Sequence, residues 1–455
     1  MRAGAAAGLV LALLTAAPGG ARELWRRGDA SLELSGSLRE LLVGSHGTSA
    51  SEFETAAASD GPACLLVATF PDCAAWDTLG DTPIVTSLTR LRLRFDARAT
   101  KQLSAVVVYD NEWRAGSLDT FEARLGDSLA TGRFDELGQD IVSRREFEWR
   151  HVLYRAYLFL ETKRLELTFG RQRIPWGVGR LWNPIDRFNA IPPLALEADQ
   201  SAGVDAVKAR WLFSGFTYLE AVYAVGARSE DRAYALRLHG VLRDVDYSLM
   251  GGVFEEAPTA GFDLSANLGD AAGRVEVVWT DPTRTVRPFD SPVADDLPAY
   301  WQLVASVDYN FDIGSGLYAL VEYLYNGNAL GFGRGEANGA LGLFQERDQA
   351  VATPPGSVRV VAEGTPDLFG SSRVVSTSDH LTGFQLSYDL TPELRASFLT
   401  LVDWRGISAS FFPSLVYSPF GWLELTLGVQ AFAGPHLSEF GGAEPLGFLL
   451  AEAFF

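Results

Sequence analysis

Apolar and polar residues alternate one by one through most of this chain, and no other feature constrains its fold so tightly. Leu165, Leu167 and Phe169 are apolar, while Glu166 and Thr168 between them are polar. That period places successive side chains on opposite faces of a strand. From Ile174 to Gly203 the pattern breaks at Pro175, Pro184, Pro192, Pro193 and several glycines, which reads as an irregular loop. It resumes with Val207, Ala209 and Trp211 against Ala206, Lys208 and Arg210. Strand, long decorated loop and returning strand form one outsized hairpin, and shorter hairpins repeat the plan.

Alternation begins at Ser31 and recurs over Ile84–Ala97 and Gln102–Arg114. Further strands are predicted near 148–161, 165–173, 204–213, 216–227, 232–242, 246–254, 261–268 and 273–280. The last group falls near 299–310, 316–326, 379–389, 393–405, 408–418, 422–433 and 446–455. The total is about eighteen, most close to the ~9–11 residues of a tilted membrane strand. Every second connection is short, and the long stretches 44–83, 115–147, 174–203, 281–298 and 327–378 fall in the intervening places. This is the asymmetry of a barrel with short periplasmic turns and long extracellular loops.

Size decides which face points inward. A sheet of about eighteen strands cannot close around a dry core, because barrels of that width enclose water. Arg90, Arg92 and Arg94 share one face, and burying three guanidinium groups among apolar side chains would cost several kcal/mol each. The polar face therefore lines the lumen, and Leu91, Leu93 and Phe95 meet lipid. Tyr109, Trp113, Tyr223, Tyr234, Trp301 and Trp404 fall near the long-loop ends of the apolar face, and Trp211, Phe213, Tyr247 and Tyr417 near the short-turn ends. These are two interfacial girdles. The expected fold is all-β: a single closed antiparallel transmembrane β-barrel.

The opening residues have a positive start at Arg2, an apolar run from Ala5 to Leu14, and Gly19 and Ala21 suited to cleavage. They read as a secretory signal peptide over 1–21. A short periplasmic segment over 22–30 and the barrel over 31–455 follow. Cys64 and Cys73 lie close together in an exported chain and most simply form a disulfide. The net charge of −19 argues against nucleic acid as a partner.

Five scattered histidines (His46, His151, His239, His380 and His436) form no metal-ligand spacing, and no Ser/His/Asp set stands out. Neither an enzyme nor a cofactor is expected. His151 and His239 have lumen-facing parity. So do Arg155, Lys208, Arg210, Arg237, Arg274 and Arg395, besides the row Arg90, Arg92 and Arg94. That row reads either as an electropositive wall that selects anions or as a structural ladder paired to acids such as Asp110 and Glu112. Both readings stand at this point.

The last strand, LGFLLAEAFF, closes on Phe455. It resembles the C-terminal signature of bacterial outer-membrane barrels, which implies recognition by the barrel-assembly machinery and a setting of lipid and lipopolysaccharide. In general porins the third external loop folds into the barrel, and the loop 174–203 is similar in plan. It would bring Arg180, Asp186, Arg187, Glu197 and Asp199 to a constriction. The segment also resembles a porin-like family of unknown function through Gly170, Arg171, Gln172, Trp176, Gly177, Asn183, Pro184 and Asp186. It resembles the alginate-export family through Gly170–Gln172, Gly179–Leu181 and Val204–Ala206, though its Pro/Trp-rich core fits the first better. The function these features imply is a passive channel for small hydrophilic solutes, anions among them. A polysaccharide-export pore and a non-conducting scaffold or adhesion barrel are the alternatives, and the sequence does not give the oligomeric state.

Overall fold

The computed structural model describes residues 21–47, 82–116, 137–144, 146–189, 193–196, 203–226, 232–254, 257–281, 299–329, 350–352, 358–360, 376, 378–435, 438–441 and 445–455. The described residues contain strands and no helix. Eighteen of the twenty strands in the main sheet form an antiparallel ring, from Ala30–Gly47 to Leu446–Phe454, and these two pair with each other to close it. Closure leaves no open edge among the ring strands, so their backbone donors and acceptors find partners without water. The eight connections at one end are turns of two to five residues. Those at the other end include 48–81, 173–203, 281–299 and 327–379.

The ring is uneven in height. Ala30–Gly47, Thr82–Arg98, Leu103–Gly116 and Phe147–Glu161 have 18, 17, 14 and 15 residues. The neighbouring strands Leu165–Gln172, Val204–Leu212 and Tyr218–Ala224 have only 8, 9 and 7. Two extra strands extend the tall side. Gly138–Arg144 pairs with the start of Phe147–Glu161, and Arg22–Arg27 pairs with Ala30–Leu34. The second falls where the sequence suggested only a short periplasmic segment, because RELWRR has no apolar alternation to announce a strand.

Side-chain orientation follows the alternation. Val85, Phe169, Val207, Leu236, Leu249, Trp301 and Leu427 are exposed on the outer wall. Inward positions are polar and buried: Arg90, Glu112, Thr168, Glu220, Asp263, Glu276, Gln302, Glu322 and Gln430 among them. Leu91, Leu93 and Phe95 are half-buried on the outer face and pack into no interior core. One departure from strict alternation has consequences. Val108 pairs with Arg155 and Tyr109 with Leu153, so Tyr154 is an extra residue, a bulge that flips parity beyond it. His151 consequently shares the outer face with Tyr109, whose hydroxyl lies 3.0 Å from its Nδ1. The sequence had placed His151 in the lumen because an uninterrupted count from Arg155 cannot register the bulge.

Candidate functional site

The lumen has two charged walls. The first is built on Thr82–Arg98, Leu103–Gly116 and Phe147–Glu161. Arg90 Nε donates to Glu112 at 2.6 Å, Arg92 Nε to Asp110 at 2.7 Å, and Arg94 to Asp96 at 2.7 and 2.8 Å. Glu112 also accepts from Arg150 at 2.6 Å and Arg114 at 3.2 Å, so three guanidinium groups converge on one buried carboxylate. Tyr154, the bulge residue, lies under Arg92 with 3.9 Å from Cζ to its ring centre, and Arg155 stands 5.1 Å away. Further round, Arg210 reaches Glu220 at 2.8 Å and Glu166 at 3.1 Å. Arg237 meets Ser248 at 2.7 Å and Asp263 at 3.6 Å. Arg274 is paired with Asp308 and Arg395 with Asp389. Lys208, on the same inward parity, has no ion-pair partner within 4 Å among the described residues.

The second wall holds the loop that follows Gln172. Strand Ala271–Thr280 is nine places round the eighteen-strand ring from Thr82–Arg98, hence diametrically opposite. Its Glu276 accepts the backbone N–H of Val178, of Gly179 at 2.5 Å and of Ile185 at 3.2 Å. Glu322, on Leu317–Asn326, accepts those of Arg180 at 2.8 Å, Leu181 at 2.8 Å and Trp182 at 2.7 Å. Trp176 Nε1 donates to Glu220 at 2.5 Å, and Gln430 Nε2 donates to Leu194 O at 2.8 Å. The described part of the loop thus runs inside the barrel, tied to the wall at Trp176, over 178–185 and at Leu194.

Apolar contacts complete its seat. Ile174, Trp176, Ile185 and Phe188 pack with Val222, Ala235, Met250, Phe254 and Val278, and Phe188 meets Trp176 and Phe254 edge to face. Burying each large side chain contributes about 1.5–3 kcal/mol. The wall is hollowed where the loop touches it. A Cβ at Gly261 would lie 2.9 Å from Ile185 Cδ1, and one at Gly383 would lie 2.2 Å from Leu181 Cδ1.

The residues matching the porin-like pattern are those that shape this seat. Gly170 adopts φ +116°, and a Cβ there would meet Ala156 O at 2.3 Å. Arg171 joins strands on both sides of its own, through Asp205 at 2.9 and 2.7 Å and Leu153 O at 3.3 Å. Gln172 Nε2 donates to Ala206 O at 3.0 Å. Gly177 takes φ +84°, a conformation that favours glycine. Asn183 donates to Trp176 O at 2.8 Å and accepts from Asp186 N at 3.0 Å.

Of the residues expected at a constriction, Arg180 keeps an exposed side chain while its N–H is held by Glu322. Arg187 is buried, with Cζ 5.9 Å from the Phe254 ring centre. Asp186 is buried, and its Oδ1 accepts from Phe188 N at 3.1 Å and Asn189 N at 2.8 Å. Burial pushes the Asp186 carboxyl up to about 7, with the two amide donors pulling the other way. Glu197, Asp199, Cys64, Cys73 and the first twenty residues lie outside the described residues. Glu276 and Glu322 carry no signal in the sequence: each looks like any acid at an inward strand position, and its partners are backbone amides, which leave no residue signature.

The ring also matches solved structures over nearly its whole length. OccAB1 of Acinetobacter baumannii is 10% identical, with 95% of this chain and 98% of that one covered at a TM-score of 0.51. The chain has the fold of an outer-membrane β-barrel. The outer membrane protein OprD of Pseudomonas aeruginosa is 9% identical over 96% and 95% at a TM-score of 0.48. OpdK of Pseudomonas aeruginosa, solved with vanillate, is 10% identical over 94% and 98% at 0.45. No protein-family model and no curated protein matches the sequence.

Proposed function

We propose that the protein is a porin-like channel of the bacterial outer membrane. It passes small hydrophilic solutes, anions among them, through a lumen narrowed by the loop 174–203. The observation that carries this reading is the position of that loop's described residues: 174–189 are folded into an eighteen-strand ring and tied down on the wall facing the arginines. Rings of this width enclose water, so an inward loop sets the free cross-section. Arg90, Arg92, Arg94, Arg155, Arg210 and Arg237 line the passage on the far and flanking walls, with most of their charge met by acids. Lys208, with no ion-pair partner within 4 Å among the described residues, adds one positive charge to this wall. Within the loop, Arg180 presents its guanidinium toward solvent, and Asp186 and Arg187 fix the turn behind it. The Gly170–Asp186 pattern is, on this reading, the signature of a family of channels that seat their loop in this way.

The test is reconstitution in a planar bilayer. Stepwise conductance with a reversal potential favouring anions is expected, and Arg92→Glu or Lys208→Glu should move that potential toward cations. Deleting 178–198 should enlarge the single-channel current. Absence of conductance at any voltage would remove the channel and leave a scaffold barrel.

A further inference from the structure

We infer that Glu276 and Glu322 are the positioning residues of the constriction, and that the bore is set by these two carboxylates holding the loop backbone against one wall. The inference rests on the channel reading above. Five consecutive amides, Val178 to Trp182, point at the two side chains, and Ile185 adds a sixth. Successive N–H groups that converge in this way form an anion-binding concavity. Here the anion belongs to the opposite side of the same molecule, 91 to 142 positions along the chain.

The backbone that makes this possible is glycine-dependent. Gly177 sits at φ +84°, and a Cβ on it would lie 2.0 Å from Asn183 Oδ1 and 2.6 Å from Glu276 Oε1. At Gly179 a Cβ would lie 1.9 Å from Trp182 O. Side chains are thus excluded on the surface where the carboxylates approach.

Both oxygens of each carboxylate are engaged. Glu276 takes Val178 and Gly179 on Oε1 and Ile185 on Oε2, while Glu322 takes Arg180 on Oε2 and Leu181 and Trp182 on Oε1. An isosteric amide cannot replace either one, because its NH2 would face a loop N–H, donor against donor. Acids on the arginine wall play no such part. Asp110 and Glu112 bind guanidinium groups of the wall itself and, among the described residues, hold nothing across the lumen.

Two measurements on the full-length protein in lipid test this. Hydrogen exchange read by mass spectrometry follows the amides of 178–185, and single-channel current follows the bore. Glu276→Gln and Glu322→Gln should each speed exchange at their own amides by about tenfold to a hundredfold, the loss expected for hydrogen bonds to a charged acceptor. The current should rise in both, with protection of the other barrel strands unchanged. Gly177→Ala strains the same segment without altering the wall and should raise the current likewise. Unchanged exchange at 178–182 overturns the clamp. Faster exchange with unchanged current overturns its control of the bore. A wild-type protein that passes no current overturns the channel reading itself, a failure visible before any variant is made.

Discussion

The two charged walls spend their carboxylates on different partners. On the arginine wall Asp110 and Glu112 meet guanidinium groups on neighbouring strands, so acid and base are both parts of the sheet. On the opposite wall Glu276 and Glu322 meet backbone amides of a segment that is not part of the sheet. The first arrangement stiffens the barrel and leaves its lumen face nearly compensated. The second fixes a movable piece of chain at a chosen distance from the wall. A row of charge in a barrel therefore has a structural or a positioning meaning according to what accepts or donates, and geometry alone tells the two apart.

The comparison breaks most sharply at Glu112. Glu112→Ala leaves Arg90, Arg114 and Arg150 without the acceptor they share, and removing one partner of a buried ion cluster costs about 3–5 kcal/mol. Urea unfolding in vesicles should show that loss as a lower midpoint for the whole barrel. A smaller effect is expected where the loop is tied to the wall by a neutral donor. Trp176→Phe removes the Nε1 bond to Glu220, which keeps Arg210 as a partner. About 1.5–3 kcal/mol should be lost, the range for a bond to a charged acceptor, read as faster exchange confined to the loop with an unchanged unfolding midpoint.

Acidity sharpens the contrast further. In the packed loop Asp186 titrates at about 7, above the ordinary value of 3.8, because it is buried. The packed loop therefore holds this proton more tightly than the released one. The added stability is full below pH ~4 and is lost as pH rises through about 7. Asp186 Oδ1 takes both amides, so a proton on Oδ2 leaves them intact. Exchange at Phe188 and Asn189, corrected for the intrinsic rate, should be slower at pH 5 than at pH 8, and Asp186→Asn should flatten that difference. The smallest effect is expected for Arg395→Ala. Its pair with Asp389 is largely exposed, with side chains 60% and 41% accessible. Solvent and salt screen such a pair, so the urea midpoint should barely move.

Much of the barrel was legible because strand alternation is a local property. Leu91, Leu93 and Phe95 against Arg90, Arg92 and Arg94 settle which face is which without any distant contact. The bulge at Tyr154 was not legible, since one inserted residue changes parity without changing composition, and His151 moved to the outer wall with it. The loop was legible as an irregular stretch from its prolines and glycines. Its anchoring was not, because Glu276 and Glu322 act on peptide groups, and every residue but proline offers the same N–H. Arg171 showed the opposite case: a buried motif residue, whose work is to join Leu153 and Asp205 across its own strand.

Gly261 and Gly383 carry a consequence for how such a passage changes its calibre. Neither has a side chain to carry a charge or a hydrogen bond, yet each leaves a dent into which Ile185 or Leu181 fits. A methyl group at either site would push the loop toward the arginines and narrow the aperture from behind. Calibre is in this sense cut into the wall by missing atoms, and it can shift with no alteration to any group a solute touches.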